Sequence, residues 1–200
     1  MDNAVMNLEA KEEGRREQLL EATRRLILAT GSLNISLNDI ADELGVSRSL
    51  VYVYFDSVAQ IIDELFAEEA EAIDRAIVRL IDDDSSFRER LIRLFAVYLD
   101  HLATDGQLGY IVLRERNQDN PLSTANSRKF RRMLRNLSRH VVDALALRPR
   151  EAFVLLELIA AIPESLARMV RSGKLEIEIA QETSAMLIGS AIDAYEVNKP

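Results

Sequence analysis

The residues best suited to chemistry lie between Ser36 and Ser57, where the sequence reads SLNDIADELGVSRSLVYVYFDS. Arg48 stands there among hydroxyl side chains. A guanidinium can bind guanine O6 and N7 together, while Ser and Tyr hydroxyls reach bases or phosphates. These side chains suit the reading of duplex DNA. We expect contacts from Ser36, Asn38, Ser47, Arg48, Ser49, Tyr52 and Tyr54.

Each of these residues also has a purely structural interpretation. Ser36 and Ser47 would serve only as helix caps, and Tyr52 would only pack. For single residues the two interpretations stay open, whereas for the surface as a whole the pattern favours DNA contact. Val51 and Phe55 are expected in the core.

Two short helices around a glycine turn would position these side chains. Ser36 and Asp39, three residues apart, predict a capped helix start, and Gly45 predicts a left-handed end. Ser47 would cap a second helix, Arg48 to Tyr54, which makes the pair a helix-turn-helix with its second helix in the major groove. The apolar stripe of the first helix is Leu37, Ile40, Ala41 and Leu44.

The same stretch resembles the DNA-binding segment of TetR-type bacterial transcription regulators. That family shows a Thr or Ser cap, an Ile-Ala pair, Gly-Val-Ser, and a closing Tyr-x-Tyr-Phe followed by Ser and a new helix. Two positions depart from it: Val58 replaces a common phosphate-contacting Lys, and Leu50 a common small hydroxyl residue. The matching residues are Ser36, Ile40, Ala41, Gly45, Val46, Ser47, Tyr52, Tyr54, Phe55 and Ser57.

We predict an all-α fold of about nine helices. The resemblance implies a three-helix DNA-binding domain over residues 1–56 and a helical effector-binding and dimerisation domain over residues 57–200. Residues 1–11 are expected to be frayed. Predicted helices span about 12–30, 37–44, 48–54, 57–81, 87–103, 108–117, 122–147, 149–171 and 175–195.

The composition gives no sign of an enzyme or a membrane protein. With no cysteine and only His101 and His140, the chain offers no metal-ligand cluster, and it has no Walker, GxGxxG or HExxH motif. The charged N-terminus lacks the apolar core of a signal peptide, and the late uncharged run 183–192 is too short to span a bilayer. We expect a soluble cytoplasmic protein without cofactor or metal.

The charge balance is unusual for a DNA-binding protein. The chain has a net charge of −8, and residues 1–56 carry six basic against ten acidic side chains. Since DNA affinity depends on neutralising phosphates, we expect few phosphate contacts and a shallow salt dependence. The arginines expected to face DNA are Arg15, Arg16, Arg24, Arg25 and Arg48.

One later helix has the opposite charge pattern. Six basic residues occur there without an acidic residue among them, opposite an apolar stripe. Three interpretations stay open: a solvated helix face, a site for an anionic effector, or a second nucleic-acid surface. The basic residues are Arg128, Lys129, Arg131, Arg132, Arg135 and Arg139.

Helix 8 predicts a homodimer. From Ala152 to Ile162 only Glu157 is charged, so the helix requires cover on more than one side. A second subunit would supply it in a C2 four-helix interface, as the resemblance implies, although a monomer with a central helix 8 is the alternative. The expected interface residues are Phe153, Leu156, Ala160, Ala185, Ile188, Gly189 and Ile192.

By resemblance, the protein is a regulator, most simply a repressor, that leaves an inverted-repeat operator when a small-molecule effector binds. A DNA-binding adaptor controlled by a protein partner is the alternative, and an enzyme on a helical bundle is a third. The effector pocket is expected among Phe66, Phe95, Tyr98, His101, Tyr110, Arg114 and Phe153.

Overall fold

The computed structural model describes residues 2–81, 84–104, 106–115 and 121–197. These residues form nine α-helices and no β-strand, as predicted. Within the same ranges, no helix combines the length and apolarity needed to cross a bilayer. The helices are α1 (Asp2–Thr30), α2 (Leu37–Leu44), α3 (Arg48–Tyr54), α4 (Val58–Ile81), α5 (Phe87–Ala103), α6 (Gln107–Glu115), α7 (Thr124–Leu145), α8 (Pro149–Arg171) and α9 (Ile177–Val197).

Helix boundaries agree with the predictions except at a few ends. The expectation of frayed residues 1–11 was wrong, because α1 already begins at Asp2. Its first turns contain Ala, Met, Leu, Glu and Lys without proline, and these are good helix formers. Helix α7 is shorter than predicted and ends at Leu145, where Ala146 takes a positive φ of 53°.

The chain divides into two compact units, Met1–Glu68 with Leu108–Asn126, and Glu69–Gln107 with Ser127–Pro200. This division differs from the predicted functional boundary at residue 56. The assignment of DNA binding to residues 1–56 and of effector binding and dimerisation to residues 57–200 stays a prediction.

The first unit is built around the helix-turn-helix. Helix α2 packs against both α1 and α3, and side chains from α1 to α4 and from α6 fill the core. Each large apolar side chain contributes about 1.5–3 kcal/mol on burial. The fully buried members include Leu19, Ile27, Ile40, Val51, Ile61, Leu65 and Leu108, with Phe55 beside them.

The second unit has α5 packed against α8 and α9, which also pack against each other. Its apolar core takes further side chains from α7 and from the end of α4. Helices α5 and α9 approach closely at the buried Gly189, where a Cβ would lie 3.3 Å from Ile92 Cδ1. Core members include Ile77, Leu91, Phe95, Val141, Leu155, Ile159, Ile188 and Ile192.

Candidate DNA-binding site

Helix α2 begins with the capping arrangement that the sequence predicted. Ser36 Oγ accepts a hydrogen bond from the Asp39 N–H at 3.2 Å, and Asp39 Oδ2 accepts from the Ser36 N–H at 2.7 Å. Hydrogen bonds from the Ser36 side chain and backbone hold the pKa of Asp39 below its ordinary value. Two otherwise unpaired N–H groups are satisfied, which fixes where the helix starts.

Gly45 makes the turn between the two helices. Its φ of 64° lies in the left-handed region that glycine adopts without a Cβ penalty. The next N–H, of Val46, donates to the Ala41 carbonyl at 2.9 Å and closes α2. Ser47 Oγ then accepts from the Leu50 N–H at 3.3 Å and caps α3. The predicted helix-turn-helix is therefore confirmed as local structure.

Helix α3 has one buried face and one exposed face. Val51 is fully buried and Phe55, directly after the helix, nearly so. These two side chains hold α3 against the core and turn its other face to solvent. Of the seven predicted DNA contacts, Ser36, Asn38, Ser47, Arg48, Ser49 and Tyr52 are exposed, and Tyr54 is half-buried.

Arg48 and Tyr52 form a pair on the exposed face. Arg48 Nη2 donates to Tyr52 Oη at 2.9 Å, and the guanidinium carbon lies 5.3 Å from the Tyr52 ring centroid. The hydrogen bond and the cation–π contact restrict a side chain that otherwise carries about 2 kcal/mol of rotamer entropy. Arg48 is thus oriented on the helix surface with donors still available for a base edge or phosphate.

The structure adds Val53, which the sequence analysis did not single out. It is 73% exposed and lies about 100° around the helix from Tyr52 and about 140° from Arg48. A methyl-bearing side chain there can contact a thymine methyl group in the major groove. The signal available in the sequence was spacing, because Val53 lies about 200° around the helix from Val51, which was expected in the core.

The arginines of α1 correct one expectation. Arg16 pairs with Glu64, Arg24 with Glu68 at 3.2 Å, and Arg25 with Glu43 at 3.4 Å. Carboxylates of the same unit therefore lie beside these three arginines, whereas the sequence led us to expect the acidic side chains to face away from them. Arg48, the fifth arginine that the sequence led us to expect against DNA, lies on the exposed face of α3.

The predicted pocket residues fall in both units. Phe66 lies in the core of the first unit, with Tyr110 half-buried and Arg114 exposed. In the second unit, the rings of Phe95 and Tyr98 meet edge-on with centroids 6.4 Å apart. Of the other two members, His101 has its Nε2 3.8 Å from Oε2 of the buried Glu69. Phe153 is 51% exposed to solvent.

A cavity of about 370 Å³ lies elsewhere in the second unit, between the end of α4, the start of α5 and α7. Apolar walls dominate, and three side chains there can bind polar groups. None of the seven predicted residues lines it. Its lining is Ile77, Phe87, Arg90, Leu91, Leu94, Leu137, His140, Asp143 and Ala144. In the described part of the chain, no three His, Asp or Glu residues are grouped as a metal site.

The predicted interface residues also separate into two groups. Leu156, Ile188 and Ile192 are buried in the core of their own chain, and Gly189 faces Arg88 of α5. These four residues are covered by intramolecular packing and present no outward surface. Ala160 and Ala185 are half-buried, and Phe153 is 51% exposed.

Comparison with known proteins agrees with this geometry. Residues 19–65 match the model of the family described as bacterial regulatory proteins, tetR family. The chain is 27% identical over 172 residues, 81% of this chain and 87% of the relative, to the nucleoid occlusion factor SlmA of Photobacterium profundum. It is 38% identical over 77 residues, 38% of this chain and 37% of the relative, to the HTH-type transcriptional regulator BetI of Agrobacterium fabrum.

A solved TetR-like transcriptional regulator from Rhodococcus sp. RHA1 has the same fold. It superposes with a TM-score of 0.66 at 19% identity, over 90% of this chain and 96% of that one. The helix-turn-helix and its exposed α3 face lie within the region matched by the family model. Residues 19–65 therefore match the tetR family of bacterial regulatory proteins, and the described chain has the all-α fold of a TetR-like transcriptional regulator.

Proposed function

We propose that the protein is a homodimeric repressor that binds an inverted-repeat operator and releases it when a small-molecule effector binds. The exposed face of α3 carries the proposal. There Arg48, Tyr52 and Val53 combine a guanidinium, a phenol and a methyl surface on a helix fixed by Val51 and Phe55. Such a helix can read base edges in the major groove, and bound protein would block access to the promoter.

Dimerisation would use the outer faces of α8 and α9. Leu158 is 65% exposed and Met186 62% exposed, with Phe153, Val154 and Leu187 also facing solvent. Large exposed apolar side chains on two helices that pack against each other suggest an interface. We therefore keep Phe153 from the predicted interface and propose Val154, Leu158, Met186 and Leu187 in place of the four buried residues. A C2 contact would place two α3 helices about 34–36 Å apart, one turn of DNA.

The cavity of the second unit is the proposed effector site. Its volume of about 370 Å³ falls within the range of small-molecule pockets. Apolar side chains from α4, α5 and α7 would take most of the ligand surface. Arg90, His140 and Asp143 supply polar groups of both charge types, which suits an amphipathic ligand.

Coupling would run through two elements. Helix α4 supplies Ile61 and Leu65 to the core of the first unit, and its Ile77 lines the cavity. At the end of α6, Glu115 Oε2 accepts hydrogen bonds from the Leu33 N–H at 2.9 Å and from Ser32 Oγ, in the segment that leads into α2. A ligand that shifts α4 or α6 would change how α2 and α3 are held, with typical coupling of about 1–3 kcal/mol.

Selection of bound sequences from a random duplex pool tests the DNA part of the proposal. We expect an inverted repeat whose half-site centres are about 10 base pairs apart. The same selection with Asn136→Ala, an exposed α7 substitution, serves as a control and should return the same repeat. Recovery of a single half-site, or of no common sequence, would contradict the dimeric operator.

The effector part is tested with the selected operator and a metabolite library, scored by release of labelled DNA. Leu137→Trp fills the cavity and should abolish release by an active compound while DNA binding persists. Tyr98→Phe, at the pocket predicted from sequence, should leave release unchanged. If Tyr98→Phe abolished release and Leu137→Trp did not, the effector site would lie at the residues predicted from the sequence. If no compound released the DNA, ligand control would be contradicted.

A DNA-binding adaptor controlled by a protein partner is the second candidate. The similarity to SlmA favours it, since that relative is named a nucleoid occlusion factor and matches 81% of this chain. Chromosome-wide occupancy with sites away from promoters would support this candidate over a promoter repressor. Mapping of bound DNA in cells distinguishes the two.

A further inference from the structure

Helix α7 carries a straight row of exposed arginines. Arg128, Arg132, Arg135 and Arg139 are spaced i, i+4, i+7 and i+11, so they lie along one line of the helix for about 16 Å. We call these four residues the arginine row. Lys129 and Arg131 flank it and are also exposed, and no acidic residue occurs between residues 124 and 142.

The buried side of α7 keeps the row facing outward. Val141 is fully buried and Met133 nearly so, and Phe130, Leu134 and Leu137 pack against the same core. Rotation of the helix would expose these apolar side chains to water, which is unfavourable. The arginine side chains are therefore presented on a fixed backbone.

Three charges of the row, those of Arg132, Arg135 and Arg139, are not compensated within the described residues. In the part of the chain that the structure describes, no carboxylate pairs with Arg132, Arg135 or Arg139, in contrast to Arg16 and Arg24 of α1. Like charges at i, i+3 and i+4 repel one another. The chain as a whole has a net charge of −8, so this repulsion is concentrated on one helix of an otherwise acidic protein. An anionic partner would relieve it.

The surface around the row indicates which anion fits. None of the large exposed apolar side chains of the described residues belongs to α7, so the helix has nothing to insert into a bilayer and no apolar centre for a protein interface. It also exposes no aromatic ring on which single-stranded bases could stack. Five of its six cations are arginines, which bind phosphate oxygens in bidentate fashion.

We propose that the arginine row of α7 binds the phosphate backbone of duplex DNA, independently of sequence, as a contact additional to that of α3. Duplex DNA carries one negative charge per about 1.7 Å of axis, so a row of about 16 Å faces several phosphates at once. The row would supply the phosphate neutralisation that residues 1–56, with six basic and ten acidic side chains, supply poorly.

The test compares full-length proteins on a random-sequence duplex of about 30 base pairs, with affinity measured by fluorescence anisotropy over a salt series. The row variant is R132Q/R135Q/R139Q, in which glutamine keeps helix propensity and much of the aliphatic stem. The matched control is R75Q/R79Q/K174Q, which removes three exposed charges of the same unit outside α7.

For the row variant, we expect the slope of log K against log salt to become shallower by about 2.7, from about 0.9 per lost phosphate contact. The control should keep the wild-type slope. Equal slopes in all three proteins would overturn the proposal, and so would equal changes in both triple variants, which would reveal only the effect of net charge.

Two further measurements make the result decisive. The single variants R132Q and R139Q should each make the slope shallower by about 0.9 without lowering the melting temperature, so a folding defect in the triple variant cannot imitate the result. The second measurement is co-sedimentation with phosphatidylglycerol vesicles, which tests whether the arginine row binds a membrane. Vesicle binding that depends on the row, combined with an unchanged DNA slope, would assign the surface to membranes and overturn the proposal.

Discussion

Arg16 of α1 holds the helix-turn-helix to the start of α4 through two interactions. Its Nη2 donates to Glu64 Oε2 at 2.6 Å, and its guanidinium carbon lies 4.7 Å from the ring centroid of Phe55. We predict that Arg16→Met destabilises the protein without weakening phosphate contact. Methionine retains an apolar stem of similar length and removes the charge.

The structure sets the size of this effect. The side chains of Arg16 and Glu64 are 37% and 29% exposed, so their pair belongs near the upper end of surface ion pairs, about 1 kcal/mol. The cation–π contact with Phe55 adds about 0.5–1 kcal/mol. Arg16→Met should therefore lower the free energy of unfolding by about 1.5–2 kcal/mol, and a double-mutant cycle with Glu64→Gln should show coupling of about 0.5–1 kcal/mol.

Urea denaturation followed by circular dichroism measures the stability, and binding to random duplex over a salt series measures phosphate contact. Arg15→Met is the matched control, since Arg15 bonds only to Gln18 of its own helix among the contacts described, at 2.9 Å. It should change stability by less than about 0.5 kcal/mol. Unchanged stability in Arg16→Met, with a salt slope about 0.9 shallower, would show that Arg16 binds DNA instead.

Four further outcomes follow from particular side chains. Arg48→Ala should cost about 1–3 kcal/mol of discrimination between the selected operator and random DNA, measured by competition; an equal loss on both would show that Arg48 reads no base. Gly106→Ala should lower the melting temperature, because a Cβ there would lie 2.0 Å from His101 Cδ2 and overpacking costs about 1–3 kcal/mol. Leu158→Glu should convert a dimer into a folded monomer by sedimentation, since it buries two carboxylates in a C2 contact; an unchanged mass would move the interface elsewhere. Burial raises the pKa of Glu164, so the folded state binds its proton more tightly and stability should rise as the pH falls through that raised pKa. Glu164→Gln should stabilise the protein near neutral pH and flatten this dependence in urea titrations; lower stability there would contradict it.

Signals confined to a few neighbouring residues were sufficient to predict the local structure of the helix-turn-helix. The cap between Ser36 and Asp39 spans three residues, and the turn at Gly45 depends on one backbone conformation that glycine adopts freely. The apolar stripe of α2 follows from helical spacing. The family pattern combines these same features, which is why the helix-turn-helix and the all-α fold could be predicted without coordinates.

Assignments that depend on distant neighbours needed the structure. Arg16 meets Glu64 across 48 residues, and the sequence contains no local signal for that pair. Gly189 looked like a small residue for close subunit approach, yet the space beside it is taken by Arg88 of the same chain.

The sequence by itself determined which segments become helices and where the helix-turn-helix lies, because hydrogen bonds and caps between near neighbours set both. The tertiary structure decided which sides of α8 and α9 are covered and where a cavity remains. Helices that are apolar on most sides, as in α8 from Ala152 to Ile162, have no single stripe from which a buried face can be deduced. Only the packing of α5 against them leaves Leu158 and Met186 outside and Ile188 inside.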